Sequence, residues 1–185
     1  MNCDVLTLPG LGDSGPRHWQ TLWERKHPDW RRVTHRDWVK PEQAEWVAEL
    51  DAAILLSEGP PLLVAHSLAC ALVAHWAQSG STMAVAGAIL VAPADPEAPG
   101  FPPEASGFAP MPMARLPFPT IVVASSSDPY VTPERAAAFA QAWGSRLIEL
   151  GDAGHINADS GHGDWPAGER IVLDFCGQLR CPPQV

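Results

Sequence analysis

Leu62-Leu63-Val64-Ala65-His66-Ser67-Leu68-Ala69 is the stretch on which the fold turns. Its first four residues are apolar without alternation, which is the pattern of a strand covered on both faces. Ser67 follows at once, and a helical pattern then runs over Leu68–Gln78 and stops at Gly80. Strand, tight turn and helix in direct succession mark one unit of an alternating α/β chain. Ala88-Ile89-Leu90-Val91 and Ile121-Val122-Val123-Ala124 repeat the continuous apolar run.

Outward from that unit the same alternation holds. Cys3–Leu8 reads as a buried strand ending at Pro9-Gly10, and a glycine-rich turn runs through Gly15. His18–His27 follows as a helix, with Trp19, Leu22 and Trp23 at helical spacing. Arg32–Asp37 is a weaker strand, and Pro41–Ser57 is an amphipathic helix with Val47, Leu50 and Ile54 on one face. Ala86–Ala92 and Thr120–Ser125 are strands separated by the irregular Pro93–Pro119, which holds nine prolines. Pro133–Trp143 is a helix with Thr132 as N-cap and Gly144 as stop. Arg146–Leu150 is the last strand and Gly168–Gly177 the last helix. Six strands, mostly followed by helices and without a two-residue hairpin, predict one α/β domain over residues 1–185. Its parallel sheet lies in a three-layer α/β/α sandwich.

Composition narrows the classes. The 185 residues suit one domain that buries about 70% of its unfolded surface without a staple. Twenty-one acids against twelve bases give a net charge of −9, and no basic run interrupts it, so nucleic acid and anionic membranes are not expected partners. No apolar stretch approaches the roughly 20 residues needed to cross a bilayer. The N-terminus lacks signal-peptide character, and the four cysteines (Cys3, Cys70, Cys176, Cys181) form no CxxC pair. A cytoplasmic protein with reduced thiols is therefore expected. Cys176 and Cys181 have no partner at metal-ligand spacing, so neither metal nor cofactor is expected.

In parallel α/β sheets ligands gather at the carboxyl ends of the strands. Those ends carry Ser67, then Asp128, then His155, the chain order of an α/β-hydrolase triad. Ala65-His66-Ser67-Leu68-Ala69 fits the small-x-Ser-x-small nucleophile turn, in which small residues let strand and helix approach the strained apex. Alanine at both small positions makes a slightly tight elbow, and a bare helix cap is the alternative role for Ser67. A serine hydroxyl needs a base, and His155, after Gly154 in the loop past the last strand, is best placed to supply it. His162 is its rival. His66 is expected to point away from the elbow, His75 lies on the next helix, and His18, His27 and His35 precede the nucleophile. Asp128 would orient the imidazole, with Asp95 as the alternative acid. The backbone N–H groups of Leu68 and Leu11 are the expected oxyanion donors, with Gly12 next in line. Gly10, Gly12, His18 and Trp19 are candidate pocket-lining residues, and Phe101, Phe108 and Met111 could face the pocket from the proline-rich segment. Trp23, Trp46 and Trp143 read as core.

A competing pattern is Gly10-Leu11-Gly12-Asp13-Ser14-Gly15, a literal G-x-G-x-x-G with Asp37 lying 22 residues beyond Gly15. Against dinucleotide binding stand Asp13, a carboxylate where pyrophosphate would sit, and Pro16, which removes a donor.

Taken together, these motifs resemble the small, lidless α/β-hydrolase-fold serine hydrolases typified by retinoblastoma-binding protein nine and its bacterial relatives. The resemblance is carried by Pro9–Gln20 with its His18-Trp19 pair, Asp37-Trp38, Trp46-Val47, Val64–Ala69, Ser126–Val131 and Gly154–Asn157. It implies that Ser67, Asp128 and His155 form the triad. It also implies a minimal α/β-hydrolase fold, two strands short at the front, with sheet order 2-1-3-4-5-6 and no cap domain. The family's pocket-protein motif has no counterpart, because Leu68-Ala69-Cys70-Ala71-Leu72 lacks the acid. The expectation is a serine hydrolase that cleaves a small acyl substrate (ester, thioester or amide) through an acyl-enzyme, as a monomer or weak homodimer. The alternative from another class is an interaction module on an inactive hydrolase scaffold.

Overall fold

Six parallel strands lie in one sheet in the order β2-β1-β3-β4-β5-β6 in a computed structural model that describes residues 3–180. In chain order the elements are β1 (Val5–Leu8), α1 (Trp19–Lys26), β2 (Arg31–Arg32), α2 (Gln43–Leu55), β3 (Leu62–His66), α3 (Leu68–Gln78) and β4 (Gly87–Val91). They continue with β5 (Thr120–Ala124), α4 (Pro133–Trp143), β6 (Arg146–Glu149) and α5 (Pro166–Arg180). β1 pairs with β2 on one side and β3 on the other, with Leu6 opposite both Arg31 and Leu63. This is the topological switch point, where loops leaving adjacent strands diverge and leave room for a ligand.

Successive strand residues point to opposite faces, so each apolar strand feeds two cores. Leu6, Leu8, Leu63, Ala65, Leu90 and Val122 pack with α2, α3 and α4. Val5, Leu62, Val64, Ile89, Val91 and Val123 pack with Trp19 and Trp23 of α1 and with Val172 and Phe175 of α5. Trp23, Trp46 and Trp143 are fully buried, as large apolar fillers. Thr132 caps α4 by accepting the Arg135 N–H, and Gly144 ends it at φ 72°.

The element boundaries differ from the sequence reading most at β2 and α5, whereas the proline-rich segment is irregular as expected. β2 is two residues long, not six. After Val33 N–H donates to Thr7 O, the chain leaves the sheet edge and stacks His35 on Trp46 at 3.9 Å. α5 begins at Pro166, whose fixed φ suits a first turn, and Gly168 sits within it because a Cβ there would strike the Trp165 ring at 2.2 Å. The proline-rich 93–119 segment carries no helix or strand, and it is strapped to the start of α2 by Ser106 N–H to Pro41 O and Gln43 N–H to Ser106 O.

The expectation of four reduced thiols is corrected. Cys3 and Cys176 form a disulfide with their Cα atoms 6.1 Å apart. Packing α5 against the β1 side of the sheet joins residues 173 positions apart, a pairing no local spacing reveals. Cys70 is a buried free thiol, and Cys181 lies outside the described residues. No helix among the described residues is long and apolar enough to cross a membrane.

Candidate active site

The chain reverses so sharply between β3 and α3 that Ser67 adopts φ 58°, ψ −122°. A non-glycine residue holds such a backbone only when its surroundings enforce it. Here the enforcing bond is Ser67 N–H to Val91 O at 2.9 Å, with Ala65 and Ala69 fully buried on either side. The Ser67 hydroxyl makes no cap bond to α3, so the capping role considered from the sequence is not what it performs. It faces His155, with Nε2 to Oγ at 2.9 Å.

His155 lies in the loop after β6. Its Nδ1 is 2.9 Å from both carboxylate oxygens of Asp128, whose side chain is fully shielded from solvent. The Tyr130 N–H also donates to Asp128 Oδ1 at 2.9 Å. Serine, imidazole and carboxylate thus form one unbroken line. The rival groups are engaged elsewhere. Asp95 is buried against Arg135, with Nε to Oδ2 at 2.6 Å and Nη2 to Oδ1 at 3.0 Å. His162 bonds back to its own turn at Ser160.

The loop after β1 closes the other side. Gln20, fully buried on α1, donates to Leu8 O at 3.0 Å and Val64 O at 3.1 Å, tying α1 to the end of β1 and the middle of β3. Leu68 carries the first N–H of α3, which has no partner within its helix. Among the described residues the Leu11 N–H makes no hydrogen bond, whereas the Gly12 N–H donates to Trp38 O at 2.9 Å. Among the described residues both the Leu68 and the Leu11 N–H are thus without a hydrogen-bond partner, and both residues line the cavity beside Ser67.

A cavity of about 220 Å³ opens above these groups and is lined in part by Gly10, Leu11, His18, Ser67, Phe101 and Tyr130. Gly12 and Trp19 do not line it: Gly12 turns toward Trp38, and Trp19 is fully buried in the core. Phe108 and Met111 are likewise core residues beside α2 and α3, and of the three proline-segment candidates Phe101 alone reaches the cavity. The Tyr130 ring stands 4.5 Å from the His155 ring.

His66 was expected to point away from the elbow. Instead it lines the cavity while packing against Trp19 of α1; its ring lies 4.8 Å from those of His18 and His155, and its Nε2 donates to His155 O at 3.0 Å. Burial holds it neutral, well below the usual histidine range, and the neighbouring His155 and His18 add to that. His18 accepts the Gln20 N–H on Nδ1, and burial, with Arg32 and His155 nearby, lowers it to about 4. Both residues fall within stretches that carry the family resemblance, but nothing in the sequence alone assigns His66 or Gln20 these bonds.

The dinucleotide alternative loses its physical basis. Helix α1 begins at Trp19 with His18 as its cap, so Gly15 stands apart from any helix N-terminus that could hold pyrophosphate. Among the described residues no cluster of three or more His, Cys, Asp or Glu could hold a metal ion.

A family model described as serine hydrolase matches residues 5–174. The solved structure of a protein described as a YdeN-like hydrolase, from Pectobacterium atrosepticum, is 34% identical. It covers 96% of this chain and 92% of that one, with a TM-score of 0.85. The ydeN gene product of B. subtilis is 21% identical over 94% of this chain and 98% of that one, with a TM-score of 0.75. Thermogutta terrifontis esterase 2 is 16% identical over 100% of this chain and 85% of that one, with a TM-score of 0.67. At those lower identities the last two speak for the fold alone. No curated protein matches. With its model matching nearly end to end and a relative above 30% identity, the chain belongs to the serine hydrolase family and is an enzyme of α/β-hydrolase fold.

Proposed function

We propose that the chain hydrolyses a small ester, thioester or amide through an acyl-enzyme formed on Ser67. The observation that carries this reading is the unbroken line from Ser67 Oγ to His155 Nε2 and from His155 Nδ1 to Asp128, every contact at 2.9 Å. Ser67 Oγ attacks the acyl carbon while its proton passes to His155 Nε2. Asp128 holds the Nδ1–H tautomer and stabilises the imidazolium. The carbonyl oxygen, now an anion, is held by the N–H groups of Leu68 and Leu11. Collapse of the tetrahedral adduct breaks the bond to the leaving group, which takes the proton from His155. A water molecule then repeats the sequence on the acyl-enzyme, giving the carboxylic acid and restoring Ser67.

The cavity of about 220 Å³ supports a short acyl group, since drug-sized ligands need roughly 300–1,000 Å³. Leu11, Phe101, Pro102 and Ala105 give it apolar walls. Labelling with a fluorophosphonate tests the proposal. Wild type is expected to label and Ser67→Ala not to, with Ser67→Ala losing about 10³–10⁶-fold in turnover at little cost in stability. A folded wild type that stays unlabelled, or a mutant that labels equally, overturns it.

A further inference from the structure

Asp128 fixes one end of the His155 ring, but the ring's position also depends on its backbone, and that backbone is strained. His155 stands between Gly154 at φ 55° and Ile156 at φ 48°. For a β-branched residue such as Ile156 this conformation costs on the order of 1–3 kcal/mol and persists only where surroundings over-determine it. They do so from both sides. Before His155, Ser125 Oγ accepts the Ala153 N–H and Ser127 Oγ accepts the Gly154 N–H, each at 3.0 Å. After it, two ring N–H groups take consecutive carbonyls: His66 Nε2 donates to His155 O at 3.0 Å, and Trp19 Nε1 donates to Ile156 O at 2.8 Å.

These two donors pack against each other. Their rings meet at right angles, 5.7 Å apart, and both are buried, His66 at the end of β3 and Trp19 at the start of α1. The strand that carries Ser67 therefore also holds the backbone of His155. Movement of β3 relative to the base loop is resisted at the same point where nucleophile and base must meet.

We infer that His66 and Trp19 are positioning residues, clamping the two carbonyls of the base loop so that His155 Nε2 stays on Ser67 Oγ. The inference rests on the triad reading above. His66 itself is no proton carrier in the reaction, because its Nε2–H is committed to a carbonyl and Ser67 Oγ already faces His155. A misplacement of about 1 Å at a reacting group lowers the rate by about 100-fold, which sets the scale of the clamp's effect.

The test uses the intact chain with p-nitrophenyl acetate. His66→Phe and Trp19→Phe keep an aromatic ring without the donor, His66→Gln returns a donor at similar reach, and His155→Ala serves as reference. In the two donor-less variants kcat is expected to fall about 10- to 100-fold with KM nearly unchanged. The downfield His155 Nδ1–H proton signal should broaden or vanish in both. His66→Gln should recover most of the rate. Wild-type kcat in the donor-less variants, or equal loss in His66→Gln and His66→Phe, overturns the clamp. Full turnover in His155→Ala overturns the triad reading and the clamp with it, whereas a dead His155→Ala beside fully active donor-less variants overturns the clamp alone. Should the ring substitutions fail to fold, ¹⁵N-histidine spectra of the wild type decide. His66 must carry its proton on Nε2, and the Nδ1–H tautomer would sink the proposal.

Discussion

Gly10 and Ser67 touch across the switch point of the sheet. A Cβ on Gly10 would lie 2.9 Å from Ser67 Cβ, 3.0 Å from His66 O and 3.2 Å from Leu68 N. None of these atoms belongs to a flexible side-chain end, so nothing nearby can yield cheaply. The requirement for glycine here is steric and comes from a close approach. Leu11 is the next residue, and it lines the same cavity as Leu68. Gly10→Ala is expected to part the loop from the elbow and misalign one of the two open N–H donors. Loss of one oxyanion donor costs about 10²–10³-fold in kcat. Ester kinetics beside a melting curve will check this, and a folded Gly10→Ala with wild-type kcat would remove Leu11 from the mechanism.

Two buried acids follow strands near the site, and the structure gives them separate work. Asp128 places both oxygens 2.9 Å from His155 Nδ1, whereas Asp95 grips Arg135 at 2.6 and 3.0 Å. Asp128→Asn is expected to lower kcat by about 10⁴-fold with the fold intact, because an amide favours the wrong imidazole tautomer. Asp95→Asn should do the reverse. It weakens a charged pair that is buried on the Asp95 side and partly wet on the Arg135 side, costing about 1–3 kcal/mol in urea unfolding. Its kcat should stay near wild type. Swapped outcomes would exchange the two assignments.

Stability is expected to fall in mild acid because of shielded histidines. Burial lowers His18 from 6.5 to about 4 and holds His66 well below 6.5, and His35 and His75 shift in the same direction. Below pH 6.5 the unfolded chain takes up protons that the folded chain refuses, so stability rises with pH and is lost as pH drops. For His18 the loss accumulates between about 6.5 and about 4 and amounts to roughly 3 kcal/mol. Above that window the imidazoles are neutral in both states and add no slope. Urea midpoints measured from neutral pH down to about 4.5 should show the decline. His18→Ser, which keeps a capping oxygen for α1, should make the decline shallower, the other three histidines supplying the rest. An unchanged slope in His18→Ser would assign the effect elsewhere.

How much of this was legible in the sequence depends on whether the signal is local. β3 and α3 were readable to the residue, because an unbroken apolar run meeting a helical period at Ser67 leaves no other reading. Chain order at the strand ends put Asp128 and His155 forward as partners for Ser67, and their side chains do meet at 2.9 Å. β2 was not, since its pairing is set by β1 and ends where His35 finds Trp46. His66 and Trp19 illustrate the same limit. Their adjacency to Ser67 and to the first loop is visible, but their bonds span 89 and 137 residues and exist only once α1, β3 and the base loop converge. The proline-rich segment splits likewise. Phe101 and Phe108 have similar surroundings in the chain, and only packing sends one to the cavity and the other into the core.

The Cys3–Cys176 disulfide, joining positions 173 residues apart, carries the last expectation. Closing so long a loop removes entropy mainly from the unfolded chain, and native disulfides typically stabilise by about 2–4 kcal/mol. For a chain of this size that corresponds to about 5–15 °C in melting temperature. Cys3 precedes β1 at the amino ends of the strands, whereas Ser67, Asp128 and His155 follow the carboxyl ends. Reduction, or Cys3→Ser, should therefore lower the melting temperature while leaving kcat at moderate temperature close to wild type. Peptide mapping without reductant should recover the Cys3 and Cys176 peptides linked to each other. If they elute separately and reductant leaves the melting curve unmoved, packing alone holds α5 against β1, and the second core around Trp19, Trp23 and Phe175 must supply the whole attachment.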